Sequence, residues 1–180
     1  MPSNEKTAVN FVARKPNPRK NGEVCWDGTG RSTIFCTGNV MYSYGLHWPL
    51  AVFVGDKSGV NFFVRNGDYY GSTTRRHLGY VGGHGVNVSR KKLKEVGINF
   101  ENLKLYQDDA LINDADILFL QPESITYVFK RGDKFLTYDD NSTKKVPFNP
   151  PAGGMFVKER WDGRNEGHYG RREILGSCPQ

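Results

Sequence analysis

The chain has 180 residues, enough for one domain that buries a core without disulfide staples. Aromatic side chains make up 13% of it, many in short alternating runs, which favours sheets over helical bundles. The net charge of +6 points towards polyanionic partners, the absence of an apolar run of about 18 residues argues against a membrane span, and the polar start argues against a secretory signal.

Residues 1–31 read as a basic, flexible arm. Arg14-Lys15-Pro16-Asn17-Pro18-Arg19-Lys20-Asn21-Gly22 mixes cations with residues that resist helix, because proline fixes φ and biases its predecessor towards extended geometry. Strand signals begin at Thr33-Ile34-Phe35-Cys36-Thr37, turn at Gly38-Asn39, and resume in Val40-Met41-Tyr42-Ser43-Tyr44. After a break from Gly45 to Pro49, Leu50-Ala51-Val52-Phe53-Val54 and Val60-Asn61-Phe62-Phe63-Val64-Arg65 read as the next strands. Asn66-Gly67-Asp68 carries the signal of a tight hairpin, with a return strand expected through Tyr69-Tyr70-Gly71-Ser72-Thr73-Thr74.

The spacing predicts one helix, opened by Ser89 as N-cap and closed by Gly97. Residues 107–118 are polar-acidic and then apolar, a pattern that settles on no one element. A second hairpin is expected around Arg131-Gly132-Asp133, between Ser124–Phe129 and Lys134–Tyr138. From Pro147 the chain is weakly patterned and reads as a tail. The expected fold is α+β and β-rich: an antiparallel meander with one short basic helix and extended terminal arms. The corresponding division is 1–31 arm, 32–146 globular domain and 147–180 C-terminal tail.

Charge is unevenly distributed. Residues 65–94 hold seven basic side chains against Asp68 alone, while residues 95–129 hold Lys104 against seven acids. Two readings follow: a basic surface patch for a polyanion, or two blocks that neutralise each other across the fold. The basic candidates are Arg65, Arg75, Arg76, Arg90, Lys91, Lys92 and Lys94, as phosphate contacts that position a nucleic acid without reading its sequence. His77 joins them in Ser72-Thr73-Thr74-Arg75-Arg76-His77, where hydroxyls, guanidinium groups and an imidazole can together bind a phosphate. The alternative reading makes the segment a strand end, with Arg75 and Arg76 solvated and His77 bonding a backbone carbonyl to hold the turn.

Three segments within residues 38–81 carry a resemblance. Val40-Met41-Tyr42-Ser43-Tyr44, Pro49-Leu50-Ala51-Val52 and Thr73-Thr74-Arg75-Arg76-His77-Leu78 resemble, in that order, the motifs of a small uncharacterised bacteriophage-associated family. The resemblance implies a viral or phage context and a compact β-rich unit, and it carries no catalytic role. The chain departs from the pattern at Gly45-Leu46-His47-Trp48, inserted before Pro49.

Other patterns point less far. Gly79-Tyr80-Val81-Gly82-Gly83-His84-Gly85 matches neither a P-loop nor a dinucleotide fingerprint and reads as a connection. Alternation puts Phe62 and Phe63 on opposite faces of one strand, so one of them either stacks on bases beside Arg65 or fills a second core. Asp108, Asp109, Asp114 and Asp116 lack the spacing of a calcium loop and read as a solvated face. His47, His77, His84 and His168 suit an acid–base pair only if two of them meet. Cys25, Cys36 and Cys178 are odd in number and unclustered, which favours a reducing compartment and neither disulfides nor structural zinc.

No catalytic residue, metal site or cofactor is assigned, and the enzyme reading is disfavoured. The leading expectation is a non-enzymatic nucleic-acid-associated protein of viral or phage type, in the host cytoplasm or the virion. The alternatives are a virion structural component binding viral or host protein, and a small metal-independent nuclease using His77.

Overall fold

The computed structural model describes residues 4–17, 33–57, 59–68, 70–81, 84–106, 117–139, 144–158 and 173–177. Helix α1 (Asn4–Val12) precedes strands β1 (Ile34–Thr37), β2 (Val40–Ser43), β3 (Pro49–Lys57) and β4 (Val60–Asn66). Helix α2 (Ser72–Gly79) then leads to β5 (His84–Val88), α3 (Arg90–Glu95) and a 3-10 turn at Phe100–Asn102. The remaining strands are β6 (Ile117–Leu120), β7 (Ile125–Arg131), β8 (Lys134–Tyr138), β9 (Lys145–Pro147), β10 (Met155–Lys158) and β11 (Glu173–Ser177). The protein is α+β and β-rich.

The first sheet runs β1-β2-β3-β4-β5 and the second β11-β10-β6-β7-β8-β9. Neighbours are antiparallel except β4 and β5, which are parallel. A parallel pair needs a crossover, and α2 supplies it. The first sheet is buried on both faces. Phe62, Val64, Val86 and Val88 meet Leu118, Leu120 and Tyr127 of the second sheet, with Leu93 and Phe100 filling the same core. Phe63, Met41 and Leu50 point the other way and pack with Ala8 and Phe11 of α1. Phe62 and Phe63 are therefore both fully buried, and the second-core reading of this pair holds.

Three expectations need correction. Residues 4–12 lie inside the segment read as an arm, yet form a helix. Its buried stripe is Thr7, Ala8 and Phe11, with half-buried Asn4 one turn earlier, which is i, i+3, i+4, i+7 spacing. Burying Phe11 stabilises this short helix on the sheet by about 1.5–3 kcal/mol. Pro16 does mark the limit of the helix. Arg14 takes a left-handed φ of 52°, and Lys15 N–H donates to Asn10 O at 2.9 Å to close the last turn. The Arg14 guanidinium lies 4.1 Å from the centre of the Phe53 ring and donates to Asn39 Oδ1 at 2.8 Å, tying the helix end to the β1–β2 turn.

Second, Asn66-Gly67-Asp68 is not a hairpin and residues 72–74 are not a strand. Asn66 donates from Nδ2 to Pro49 O at 3.0 Å, and Gly67 N–H donates to Val88 O at 2.9 Å, so the segment leaves β4 beside the end of β5. Third, β10 lies within the stretch read as a tail but pairs with β6 inside the second sheet. The hairpin at Arg131-Gly132-Asp133 forms as read, pairing Arg131 with Lys134 around Gly132 at φ 59°. So does the basic helix: Ser89 Oγ accepts from Lys92 N–H, and Gly97 sits at φ 79°. No described helix is long and apolar enough to cross a membrane. Residues 18–32, Asp108, Asp109, Asp114, Asp116 and His168 lie outside the described residues.

Candidate functional site

The carboxyl ends of the parallel pair β4 and β5 open into a cleft of about 290 Å³. Asn66, Gly67 and Asp68 line it from the β4 end and Asn87 from β5. Thr74, Arg75 and Leu78 line it from α2, and Trp48 and Tyr70 form a wall. A second cleft of about 450 Å³ shares Trp48 and Asp68 with the first, and is otherwise lined by Arg90, Lys91 and Lys94. The two clefts adjoin through their shared residues Trp48 and Asp68 and together make up one groove; Arg75 lines the first and the α3 cations line the second.

Asp68 builds this arrangement. Its Oδ1 accepts from Ser89 Oγ at 2.5 Å and its Oδ2 from Lys91 N–H at 2.9 Å, so it fixes the start of α3 and the lysines on it. Asn66 Oδ1 in turn accepts from Asp68 N–H at 3.1 Å. The aromatic wall is a tilted pair, with the Trp48 and Tyr70 ring centres 4.6 Å apart. Tyr70 is 60% exposed.

The sequence candidates divide into four groups. Arg75, Lys91 and Lys94 line the groove, are exposed, and have no acidic partner among the described residues. Arg90 lines it too, but donates to Glu101 Oε1 at 2.9 Å, so part of the acidic block does neutralise part of the basic one. Arg76 and Lys92 are exposed but line neither cleft.

Arg65 and His77 are corrections. Arg65 is 2% exposed, on the face of β4 beneath the helices. Its Nε donates to Asn87 Oδ1 at 2.8 Å and its Nη2 to Gly85 O at 3.4 Å. A guanidinium enclosed in this way braces the parallel pair and does not reach a phosphate in solvent. His77 is 1% exposed and sits at the junction of α1, β1, β2 and α2.

The hydrogen bonds around His77 define its state. Asn4 Oδ1 accepts from Thr33 and Ile34 N–H at 3.0 and 3.1 Å, which fixes the amide orientation and aims Nδ2 at Thr33 Oγ1 (2.9 Å) and His77 Nε2 (3.4 Å). Facing a donor, Nε2 is assigned as the bare acceptor, and Nδ1–H donates to Ser43 Oγ at 2.8 Å. Burial, and secondarily the charge of Arg76, lower the imidazole pKa below its ordinary value, consistent with a neutral ring. Ser43 is itself 1% exposed, so the Ser–His contact is a structural knot without access for a substrate. The burial of His77 also removes the residue on which the nuclease reading relied.

Among the described residues, no cluster of three or more His, Cys, Asp or Glu is arranged to hold a metal, and Cys36 is a buried free thiol. The residues that sequence reading missed are Trp48 and Asn87; Tyr70 stood out only as one of several aromatics interleaved with the basic stretch. Trp48 lies in Gly45-Leu46-His47-Trp48, the segment that breaks the strand signals before Pro49, and that break was the available signal. No protein-family model matches the chain, and no curated protein or solved structure does.

Proposed function

We propose that the chain is a non-enzymatic nucleic-acid-associated protein of viral or phage type that holds a phosphate backbone along the groove between α2 and α3. The observation that carries this reading is the convergence of Arg75, Lys91 and Lys94 on one groove whose wall is an aromatic pair. Unpaired cations on a concave surface supply the sequence-independent part of nucleic-acid affinity. The context of virus or phage rests on the motif resemblance in residues 38–81.

The test is direct. Protein purified without nuclease is expected to carry nucleic acid, seen as a raised ratio of absorbance at 260 to 280 nm that high salt removes. After stripping, it should retard labelled oligonucleotides at low salt. Retardation by none of single-stranded DNA, duplex DNA or RNA at low salt would overturn the reading.

A further inference from the structure

We infer that the groove selects single strands, by stacking an unpaired base on Tyr70 of the Trp48–Tyr70 wall; the inference rests on the nucleic-acid reading above. Tyr70 is 60% exposed although it is large and aromatic, and its ring contacts are Trp48, with centres 4.6 Å apart, and His47, edge-on at 6.3 Å. A buttressed ring with an open face is the platform that single-strand binders use, since every base has a π-face. Bases inside a duplex are stacked on one another and do not present that face.

The floor beside the wall suits a base edge. Asn87 Oδ1 is taken by the buried Arg65 Nε at 2.8 Å, which leaves the Asn87 amide NH2 as its hydrogen-bonding group at the cleft. An NH2 held in one orientation donates to a carbonyl or ring-nitrogen acceptor, and all four bases carry such acceptors. Arg75 on one side and Lys91 and Lys94 on the other flank the wall, so a strand whose base sits on Tyr70 has cations for the phosphates on either side. This also gives Arg65 a use that its burial denied it as a phosphate contact: it positions Asn87.

The experiment compares an oligothymidylate with a duplex of equal length, for wild type, Tyr70→Ala and Tyr70→Phe. The proteins carry Phe in place of Trp26 and Trp161, so that emission reports Trp48 alone. The single strand should bind at least ten-fold more tightly than the duplex and quench Trp48. Tyr70→Ala should weaken single-strand binding by about five-fold to a hundred-fold, the range for one lost stacking contact, with an unchanged salt slope. Tyr70→Phe should retain the affinity, because the ring and not the hydroxyl stacks. Circular dichroism should match wild type, since Tyr70 is exposed. Equal affinity for both nucleic acids, or a Tyr70→Ala variant that binds like wild type, would overturn the single-strand inference and leave the backbone-binding reading standing. Failure to bind either nucleic acid at low salt would overturn both.

Discussion

Protonating His77 would set an N–H on Nε2 beside the Asn4 amide NH2 in a buried junction, with Thr33 Oγ1, 3.4 Å away and already accepting from Asn4 Nδ2, as the acceptor within reach. The folded pKa is lowered, with burial as the main cause. In the unfolded chain the imidazole titrates at about 6.5, so between the two values the unfolded state binds more protons. The contribution of His77 to stability is therefore complete above about pH 6.5 and is lost as pH falls through the folded value. Urea denaturation at pH 8 and pH 5 should show a larger loss for wild type than for His77→Gln, whose amide does not titrate. An equal or smaller loss in wild type would contradict the assignment. Asn4→Asp exchanges the opposing donor for an anion and should raise the His77 pKa, readable by the NMR shift of the ring protons. None of this was visible in the sequence, because Asn4, Thr33, Ser43 and His77 come from α1, the bend before β1, β2 and α2.

At the scale of elements, the apolar strands and the polar-capped helix were legible because local chemistry settles them. Ser89 caps α3 and Gly97 ends it, and both signals are local, although Asp68 from just beyond β4 adds a second cap that the sequence did not show. The two missed helices share one cause: polar residues lie on their inward stripes. In α1 the stripe includes Asn4 and Thr7; in α2 it is Thr74, His77 and Leu78, continued by Val81. Both follow helical spacing, but a reading that counts apolar side chains passes over them. The threonines also favour strand on propensity, and the demand for a crossover between parallel strands overrides that preference.

Gly85 shows the same limit. It read as part of a loose connection, yet a Cβ there would stand 1.9 Å from the Phe63 carbonyl oxygen of the adjacent strand. Only a shift of β5 away from β4 relieves that overlap. Gly85→Ala should therefore cost at least about 2 kcal/mol, measured by denaturant midpoint at constant slope. A loss under about 0.5 kcal/mol would show that the pair is less closely packed than described.

Across the whole molecule, the charge segregation seen in the sequence resolves into a groove and its surroundings. Of the seven basic residues from 65 to 94, Arg65 is buried, Arg90 is paired with Glu101, and Arg76 and Lys92 lie off the groove. What remains is Arg75, Lys91 and Lys94, gathered from two helices by the crossover and by the Asp68 cap. The sequence showed that positive charge was available and which helix would carry much of it. It could not show the convergence, which depends on α2 being a helix and on β4 and β5 running parallel.

The central claim is that these three cations, and not the overall charge, hold the nucleic acid. It is tested by the dependence of single-strand affinity on salt in two triple variants of equal charge: Arg75→Ala/Lys91→Ala/Lys94→Ala in the groove, and Arg76→Ala/Lys92→Ala/Lys104→Ala outside it. Each lost phosphate contact should flatten the log–log slope by about 0.7, so the groove variant should lose about two units of slope and the control under one. Equal flattening in both variants, or a wild-type protein that does not bind at low salt, would contradict the account.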